Sequence, residues 1–422
     1  MARSESLRRF LTPFIMLCLV GFSARFGYQM ARAPVLPRFA EELGAQTWLI
    51  GLIIGASTIT GVFVKFPAGT LSDILGRRRM LLLGSVFFAF PPFLYLLVHE
   101  PYTLLAIRFL HGLATAIFSP VASAAVADLY QKERGEKLGW FASANEVGSS
   151  FGPLLGGAVL ATLVGPGLSG FYVTYLIVGA LGVVTFLLAL SLPIGRTSLN
   201  TNSQTALAPQ KGQRWKLFRQ GMREVLGNRS ILIASSVEAG LFLGVGALLG
   251  FLPLYAKNVV KLSDAYLGIL IWVPLVMALA GKPLAGRISD RIGRKPVILM
   301  GLALCAAMLP LVPMTTNLVA LLLESGLFGL GMAIVTPSTN ALVADLCKSR
   351  NYGAAMGVFG TIWDVGEASG PILAGALIAA FGDIHNGSAY LAAFGSIAMI
   401  LVLVGVVFGL TSTEPRGAPQ KT

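Results

Sequence analysis

Long apolar segments alternate with short polar segments along almost the whole chain. A helix needs roughly 20 predominantly apolar residues to cross a hydrocarbon core about 30 Å thick. The segments that meet this description are residues 10–32, 47–67, 80–98, 103–127, 138–163, 171–192, 230–255, 265–285, 296–314, 318–343, 353–381 and 388–410. The pattern therefore predicts an all-α membrane protein with twelve transmembrane helices.

One long polar connector, from about Pro193 to Asn228, separates six spans from six. It predicts a six-helix bundle over residues 1–192, a linker over 193–229, and a second six-helix bundle with a short tail over 230–422. The portion TSLNTNSQTALAPQKGQ has a composition typical of a flexible segment. The following RWKLFRQGMREVLGN can form a basic amphipathic helix on the inner membrane face.

The two halves repeat one another, since Asp73 and Asp290 lie 217 positions apart and other landmarks keep this spacing. These landmarks are Gly69 and Gly286, Gly76 and Gly293, Arg77 and Arg294, and Pro120 and Pro337, with Gly152-Pro153 and Gly370-Pro371 at 218. Chance would not hold one offset across so many separate positions. Two homologous six-helix halves are a recurrent plan for secondary transporters.

Composition and charge support a membrane protein and argue against a nucleic-acid partner. The chain is 55% hydrophobic and 12% charged, whereas soluble domains carry about 25% charged residues. The net charge is +13, and with a cytoplasmic amino terminus most of the 32 Lys and Arg residues fall on cytoplasmic segments, as the positive-inside rule expects. We therefore expect an integral protein of the cell (inner) membrane, with both termini cytoplasmic and the lipid bilayer as its surroundings.

Cysteine and histidine patterns predict neither a metal site nor a cofactor. The cysteines are scattered, at Cys18, Cys305 and Cys347. The histidines lie on different segments, at His99, His111 and His385, so they do not form the paired cluster of an intramembrane enzyme. Neither half contains the glycine-lysine pattern of an ATP-binding loop. The sequence thus predicts no enzyme and no ATP-driven pump.

The loop between the second and third spans, GTLSDILGRRR from Gly69 to Arg79, resembles the signature of the major facilitator superfamily. The resemblance extends over essentially the whole chain. It implies two pseudo-symmetric six-helix bundles in a monomer, with a central cavity lined by spans 1, 4, 7 and 10. Spans 2, 5, 8 and 11 would flank that cavity, and spans 3, 6, 9 and 12 would lie outside.

This loop and its repeat are predicted gating elements. Small residues permit a tight turn and close helix approach. Asp73 can pair with neighbouring arginines and face the positive end of a helix of the other half, which the resemblance implies is the eleventh. The alternative is that the arginines simply anchor the loop in the cytoplasm. The predicted gating residues here are Gly69, Asp73, Gly76, Arg77, Arg78, Asp290 and Arg294.

Two further gating candidates are glycine-proline segments, GSSFGPLLGG on the fifth span and GEASGPILAG on the eleventh. The first resembles the antiporter signature of the family and implies export by exchange. Glycines permit close packing, and proline removes a backbone donor and allows a hinge. The alternative is dense packing alone. The residues concerned are Gly152, Pro153, Gly370 and Pro371.

The fourth span carries Arg108, followed by His111 where the family pattern often has glutamine. The resemblance links this arginine to proton handling. Helical spacing places Arg108, His111, Thr115 and Ser119 on one face. Whether His111 titrates or forms a structural hydrogen bond stays open.

A polar stripe on the first span comprises Arg25, Tyr28, Gln29 and Arg32. Arginine forks suit carboxylate or phosphate groups, so an anionic or zwitterionic substrate is one interpretation. In the other, Arg25 pairs with an acid of the second half such as Glu238, while Arg32 extends to outer water.

The second half supplies acids within its spans, ranked as proton-coupling candidates Glu238, Asp364, Glu367 and Glu324. A low dielectric favours the protonated form of a carboxylate, so such a group can bind and release protons. Each could instead form a static salt bridge. The predicted substrate-binding set is Arg25, Tyr28, Gln29, Arg32, Arg108, His111, Glu238 and Glu324, and the proton-coupling set is Arg108, Glu238, Asp364 and Glu367.

The sequence thus predicts a secondary active transporter that exports a small organic compound in exchange for protons by alternating access. An alternative is uptake or exchange of an organic anion held by Arg25 and Arg32. A receptor or scaffold that has lost transport is the remaining alternative.

Overall fold

The computed structural model describes residues 12–130, 133–163, 168–192, 223, 227–346 and 352–412, and these contain no β-strand. The long helices, labelled α1 to α12, are Pro13–Arg32, Thr47–Leu75, Arg77–Ala89, Pro101–Leu129, Arg134–Leu163, Ser169–Leu190, Arg229–Asn258, Asp264–Ile292, Arg294–Leu311, Leu318–Leu346, Tyr352–Phe381 and Gly387–Thr411. Short helical pieces are Val35–Glu42, Pro91–Leu94, Tyr95–Leu97 and Val312–Met314. The predicted all-α architecture is confirmed. The predicted amphipathic linker helix lies almost entirely outside the described residues.

Among the described helical segments, eleven are long and apolar enough to cross a membrane. The remaining predicted span corresponds to α5, which has 30 residues but carries Asn145 and Glu146 within it. Large apolar side chains lie on the surface, with Phe63, Met399 and Leu410 exposed by 72%, 74% and 81%. Such a surface suits contact with lipid.

The described residues form two compact units. Unit 1 comprises the described part of Met1–Ser198 together with Leu249–Trp272 and Asp383–His385. Inside it α1 packs against α5 and α6, α2 against α4, and α3 against α4 and α6. Its buried core includes Leu17, Phe88 and Phe118.

Unit 2 comprises the described parts of Leu199–Leu248, Val273–Gly382 and Asn386–Thr422. Here α9 packs against α10 and α12, and α11 packs against α12. The pairing of α9 with α10 and α12 repeats the pairing of α3 with α4 and α6. The predicted division of the chain at residues 193–229 stays a prediction.

Glycine makes the turns that follow α2 and α8. Gly76 and Gly293 have φ angles of 93° and 101°, where a side chain would be strained. Their N–H groups donate to the carbonyl oxygens of Ser72 and Ser289, both at 3.1 Å. Each turn therefore ends one helix and starts the next without an intervening loop.

Candidate functional site

The side chain of Arg108, on α4, is completely buried in unit 1. Its Nη2 donates a hydrogen bond to the Oγ of Ser57 on α2 at 2.5 Å. Its Nε and Nη1 have no hydrogen-bond partner among the described residues. The guanidinium carbon lies 5.8 Å from the centre of the Tyr28 ring, which is a cation–π distance.

His111, one turn later on α4, is also completely buried. Its Nδ1 lies 3.2 Å from the hydroxyl oxygen of Tyr95, and its Nε2 has no partner in the described part of the chain. The Tyr28 ring lies 4.9 Å from the imidazole, and Tyr95 stacks on Tyr175 at 4.0 Å. We call this group the Arg108 cluster; its members are Tyr28, Ser57, Tyr95, Arg108, His111 and Tyr175.

The contacts of Arg108 do not balance its charge. Arginine stays protonated in proteins, and moving an isolated ion into a low dielectric costs on the order of tens of kcal/mol. A desolvated cation–π contact contributes about 2 kcal/mol, and a hydrogen bond from a charged group about 1.5–3 kcal/mol. The ion pairs of the described residues include no partner for Arg108. The cluster is therefore a buried cationic site.

The polar stripe of α1 reaches the cluster at one end. Tyr28 belongs to it, and Arg32 acts electrostatically on the Tyr28 hydroxyl. Arg25 donates from Nη2 to the Oγ of Ser119 on α4 at 3.1 Å. Ser119 is eleven positions beyond Arg108, about 16 Å along a helix axis. The predicted stripe therefore spans two levels of unit 1.

Gln29 lies on the side of α1 that faces α5. A Cβ atom built on Gly152 would lie 3.0 Å from the Cβ of Gln29. The Oε1 of Gln29 is buried and has no hydrogen-bond partner within the described residues. Gln29 thus contributes a polar atom near the α1–α5 contact, apart from Tyr28.

Glu238, on α7, is the completely buried acid of unit 2. Its Oε2 accepts a hydrogen bond from Thr339 Oγ1 on α10, and its Oε1 has no partner in the part of the chain described. Lys282, on α8, acts electrostatically on this carboxylate. The same Thr339 hydroxyl lies 3.1 Å from the carbonyl oxygen of Val335. The Thr339 hydroxyl can therefore donate either to Glu238 or to the Val335 carbonyl oxygen.

The other predicted acids occupy different places. Glu324 Oε1 accepts from Thr315 Oγ1 at 2.7 Å, next to the start of α10. It is 15 positions before Thr339, about 22 Å along the axis, so Glu324 does not join Glu238. Asp364 on α11 is 5% exposed, and Glu367 is half-buried one turn later.

The charged loop at the end of α2 forms an ion-pair network. Arg77 pairs with Asp73 at 2.6 Å and with Asp128 of α4 at 2.8 Å, and it also donates to Ser72 Oγ. Two further predicted residues stabilise this end of unit 1. The Nη2 of Arg78 donates to the carbonyl oxygen of Leu190 at 3.0 Å, and the carbonyl of Gly69 accepts from Ser72 at 2.6 Å.

The second copy repeats this network in unit 2. Arg294 pairs with Asp290, and its Nε lies 3.4 Å from Asp345 and its Nη1 3.4 Å from Ser289. Lys295 donates to the carbonyl oxygen of Ser412, just after α12, at 2.9 Å. Arg78 makes the equivalent contact in unit 1, with the carbonyl oxygen of Leu190 at the end of α6. The described contacts place both loops in the same local structure, and their gating role stays a prediction.

The glycine-proline segments lie at close helix contacts. A Cβ atom on Gly152 would lie 2.6 Å from the Phe26 carbonyl oxygen of α1, and Pro153 follows inside α5. In unit 2, Gly370 packs against the Leu243 carbonyl oxygen of α7, and Pro371 lies beside Gly246. Dense packing is thus shown for both segments, and a hinge function is untested.

Sequence reasoning missed three partners of the charged groups, namely Ser57, Tyr95 and Thr339. Ser57 and Thr339 are single hydroxyls on apolar helices, and nothing in their surroundings along the chain indicates a charged neighbour. Tyr95 follows the double proline Pro91-Pro92, which ends α3 and could have indicated a break that turns the ring inward.

The Major Facilitator Superfamily model matches residues 17–281 and 234–422. The chain therefore belongs to the major facilitator superfamily and is a membrane transporter rather than an enzyme. An uncharacterized MFS-type transporter, MJ1560, of Methanocaldococcus jannaschii is 26% identical over 87% of this chain and 89% of that protein. The quinolone resistance protein NorA of Staphylococcus aureus is 23% identical over 91% of this chain and 92% of that protein.

Solved structures show the same fold. A bacterial homolog of the human lysosomal transporter Spinster, inward-facing and unoccupied, aligns with a TM-score of 0.79 at 16% identity, over 94% of this chain and 96% of that chain. The nucleoside transporter NupG aligns with a TM-score of 0.72 at 15% identity, over 96% and 100%. The predicted two-half major facilitator fold is confirmed.

Proposed function

We propose that this transporter exports a small organic compound in exchange for protons, by alternating access to the two sides of the membrane. The observation that carries the proposal is Glu238, a completely buried acid with one oxygen paired to Thr339 and the other unpaired among the described residues. A buried carboxyl group with a free oxygen can take up a proton and release it when its surroundings change.

Thr339 supports both protonation states of Glu238. When Glu238 is ionised, the Thr339 hydroxyl donates to Oε2. When Glu238 is protonated, its own O–H can donate to Thr339 Oγ1, and the threonine hydroxyl turns to the Val335 carbonyl oxygen 3.1 Å away. Neither state leaves the hydroxyl without a partner, so the proton can come and go without breaking the α7–α10 contact.

Export is favoured by two similarities. The α5 segment that contains Gly152 and Pro153 resembles the antiporter signature, and the relative NorA is named a quinolone resistance protein. The charged loops are proposed gates, with Asp73 as their principal acid. We further propose that both termini are cytoplasmic and that the protein acts as a monomer.

Everted vesicles test the proposal. A quinolone or a cationic dye added to vesicles with an imposed pH gradient should dissipate that gradient. Glu238→Gln should reduce this proton movement by at least about tenfold, because the amide cannot carry a proton. Exchange of labelled compound across the membrane, which needs no proton, should persist in that variant.

Glu100→Gln is the matched control, since Glu100 is exposed at the start of α4 and pairs locally with Thr103. It should behave as the unmodified protein. Full proton movement in Glu238→Gln would refute the coupling role. Asp73→Asn with undiminished flux would refute the proposed gate.

The second candidate function is uptake or exchange of an organic anion, favoured by the cationic groups of α1 and α4. Arg25 and Arg32 would hold the substrate. Anion counterflow without any change of the pH gradient would support this function in place of proton exchange. Absence of flux with every compound would favour a receptor or scaffold.

A further inference from the structure

We propose that the Arg108 cluster is an anion-binding site that takes one monovalent anion, either a halide or the carboxylate of a small organic acid. The site lies entirely within unit 1 and is separate from Glu238, which belongs to unit 2. The folded protein should bind the anion at equilibrium whether or not it transports protons.

The donors of the site are already in place. Arg108 has N–H groups on Nε and Nη1 that find no acceptor among the described residues. His111 Nε2 is likewise unpaired there, and it carries a hydrogen when the Tyr95 hydroxyl donates to Nδ1. The Tyr28 ring lies against both the guanidinium and the imidazole, so the two groups share one environment. Unpaired donors beside a fixed positive charge, in a cluster whose members include no carboxylate, favour an anion as the ligand.

The described groups around the two donors bring no carboxylate to them. The ring of Tyr28 lies against the guanidinium, and the hydroxyl of Tyr95 pairs with His111. A lone buried positive charge is neutralised by one negative charge. A divalent anion such as sulfate would leave an excess charge in the low dielectric, so the site discriminates by charge.

Thermal unfolding of the purified protein in detergent tests the proposal. The sodium salt of a bulky sulfonate buffer (HEPES) is replaced stepwise by chloride, bromide or acetate at constant ionic strength. We expect a saturable rise in the unfolding temperature with at least one of these anions, because a ligand that binds the folded state stabilises it. Sulfate should give no such rise.

Arg108→Gln should lose the anion dependence, and Arg38→Gln should keep it. Arg38 is a suitable match because it is also an arginine of unit 1 and already has carboxylate partners, Glu41 and Asp264. Equal anion dependence in Arg108→Gln, or no dependence in the unmodified protein, would overturn the proposal.

Direct binding of radiolabelled chloride covers the case in which Arg108→Gln fails to fold. His111→Phe retains the guanidinium and should weaken chloride binding about tenfold, as loss of one hydrogen bond to a charged ligand predicts. If benzoate displaces chloride, the site accepts both halides and carboxylates. If only one of the two anions binds, its class is the ligand of the site. Absence of chloride and benzoate binding to the unmodified protein would reject the site. None of these readouts involves Glu238 or transport, so they stand apart from the test of proton exchange.

Discussion

The two units keep the same helix crossings but fill them with different chemistry. In unit 1, a Cβ atom on Gly112 of α4 would lie 2.7 Å from the Ser57 carbonyl oxygen of α2. In unit 2, Gly329 of α10 packs even more closely on the Pro274 carbonyl oxygen of α8. Both pairs are related by the 217-residue offset. Close backbone approach tolerates no side chain, so glycine is retained at each crossing.

The side chains beside these crossings have diverged. Tyr95, Arg108 and His111 of unit 1 correspond at the same offset to Val312, Ser325 and Phe328, which are buried apolar or small groups. Conversely, Glu238 of unit 2 corresponds to Gly21. A repeat therefore fixes where backbones meet, while the space between them is free to hold a cation in one unit and an acid in the other.

The largest expected effect comes from Ser325→Arg, which would introduce the unit 1 charge into unit 2. Ser325 is completely buried and its Oγ donates to the Leu322 carbonyl oxygen at 3.3 Å. An uncompensated buried charge costs about 3–5 kcal/mol, so the unfolding temperature in detergent should fall sharply. Ser325→Ala is the control and should change it little. An arginine variant as stable as its parent would show that unit 2 retains a hidden polar site.

The second-largest loss of stability is expected when leucine replaces the glycine at either helix crossing. Gly112→Leu and Gly329→Leu each force two backbones apart, and overpacking costs about 1–3 kcal/mol or more. The two unfolding temperatures should drop by similar amounts if the crossings are equivalent. Gly395→Leu serves as the control, because a Cβ atom there meets nothing within 4 Å. A loss confined to one unit would break the equivalence.

His111→Phe copies the residue of unit 2 into unit 1 and should cost about 1–3 kcal/mol. The Tyr95 hydroxyl would remain buried without its partner at 3.2 Å. The double variant Tyr95→Phe with His111→Phe should recover part of the lost stability, since both polar groups are then removed. The unfolding temperatures of the three proteins check this, and failure of the recovery would mean that the hydrogen bond contributes little.

The smallest effect belongs to the charged loops. Asp128→Asn should cost no more than about 1 kcal/mol, because Asp128 is half exposed and such pairs are weak. Asp345→Asn should cost less, since its distance to Arg294 is 3.4 Å against 2.8 Å for Arg77 to Asp128. Unfolding measured at low and high salt should show the difference shrinking with salt. A larger loss for Asp345→Asn would reverse the ranking of the two copies.

Much of the fold could be read from the sequence. The apolar spans, the 217-residue repeat and the turns at Gly76 and Gly293 are all local or periodic features, and the described helices begin within four residues of the predicted positions. Their ends agree less well, since α2 and α8 continue past the predicted 67 and 285 to Leu75 and Ile292, and α3 stops at Ala89 before the predicted 98. The pairing of Asp73 with Arg77 is also local, one helical turn apart. Such contacts need no knowledge of how distant helices meet.

The candidate sites were predicted only in part. Helical spacing placed Arg108 and His111 on one face, which the shared cluster confirms, but Arg25 and Glu324 have their own partners at other levels of their units. Periodicity indicates which side of a helix a residue occupies. It does not indicate the depth at which a neighbouring helix presents a matching group.

By itself, the sequence determined that the chain spans the membrane in two related halves, because hydrocarbon accepts long apolar helices and a repeat leaves its spacing in the chain. The tertiary structure alone decided that Arg108 meets Ser57 and Tyr28, and that Glu238 meets Thr339. These contacts join residues 51 and 101 positions apart. They depend on how the packed helices cross and rotate. Those angles are determined by the volumes of side chains throughout the unit.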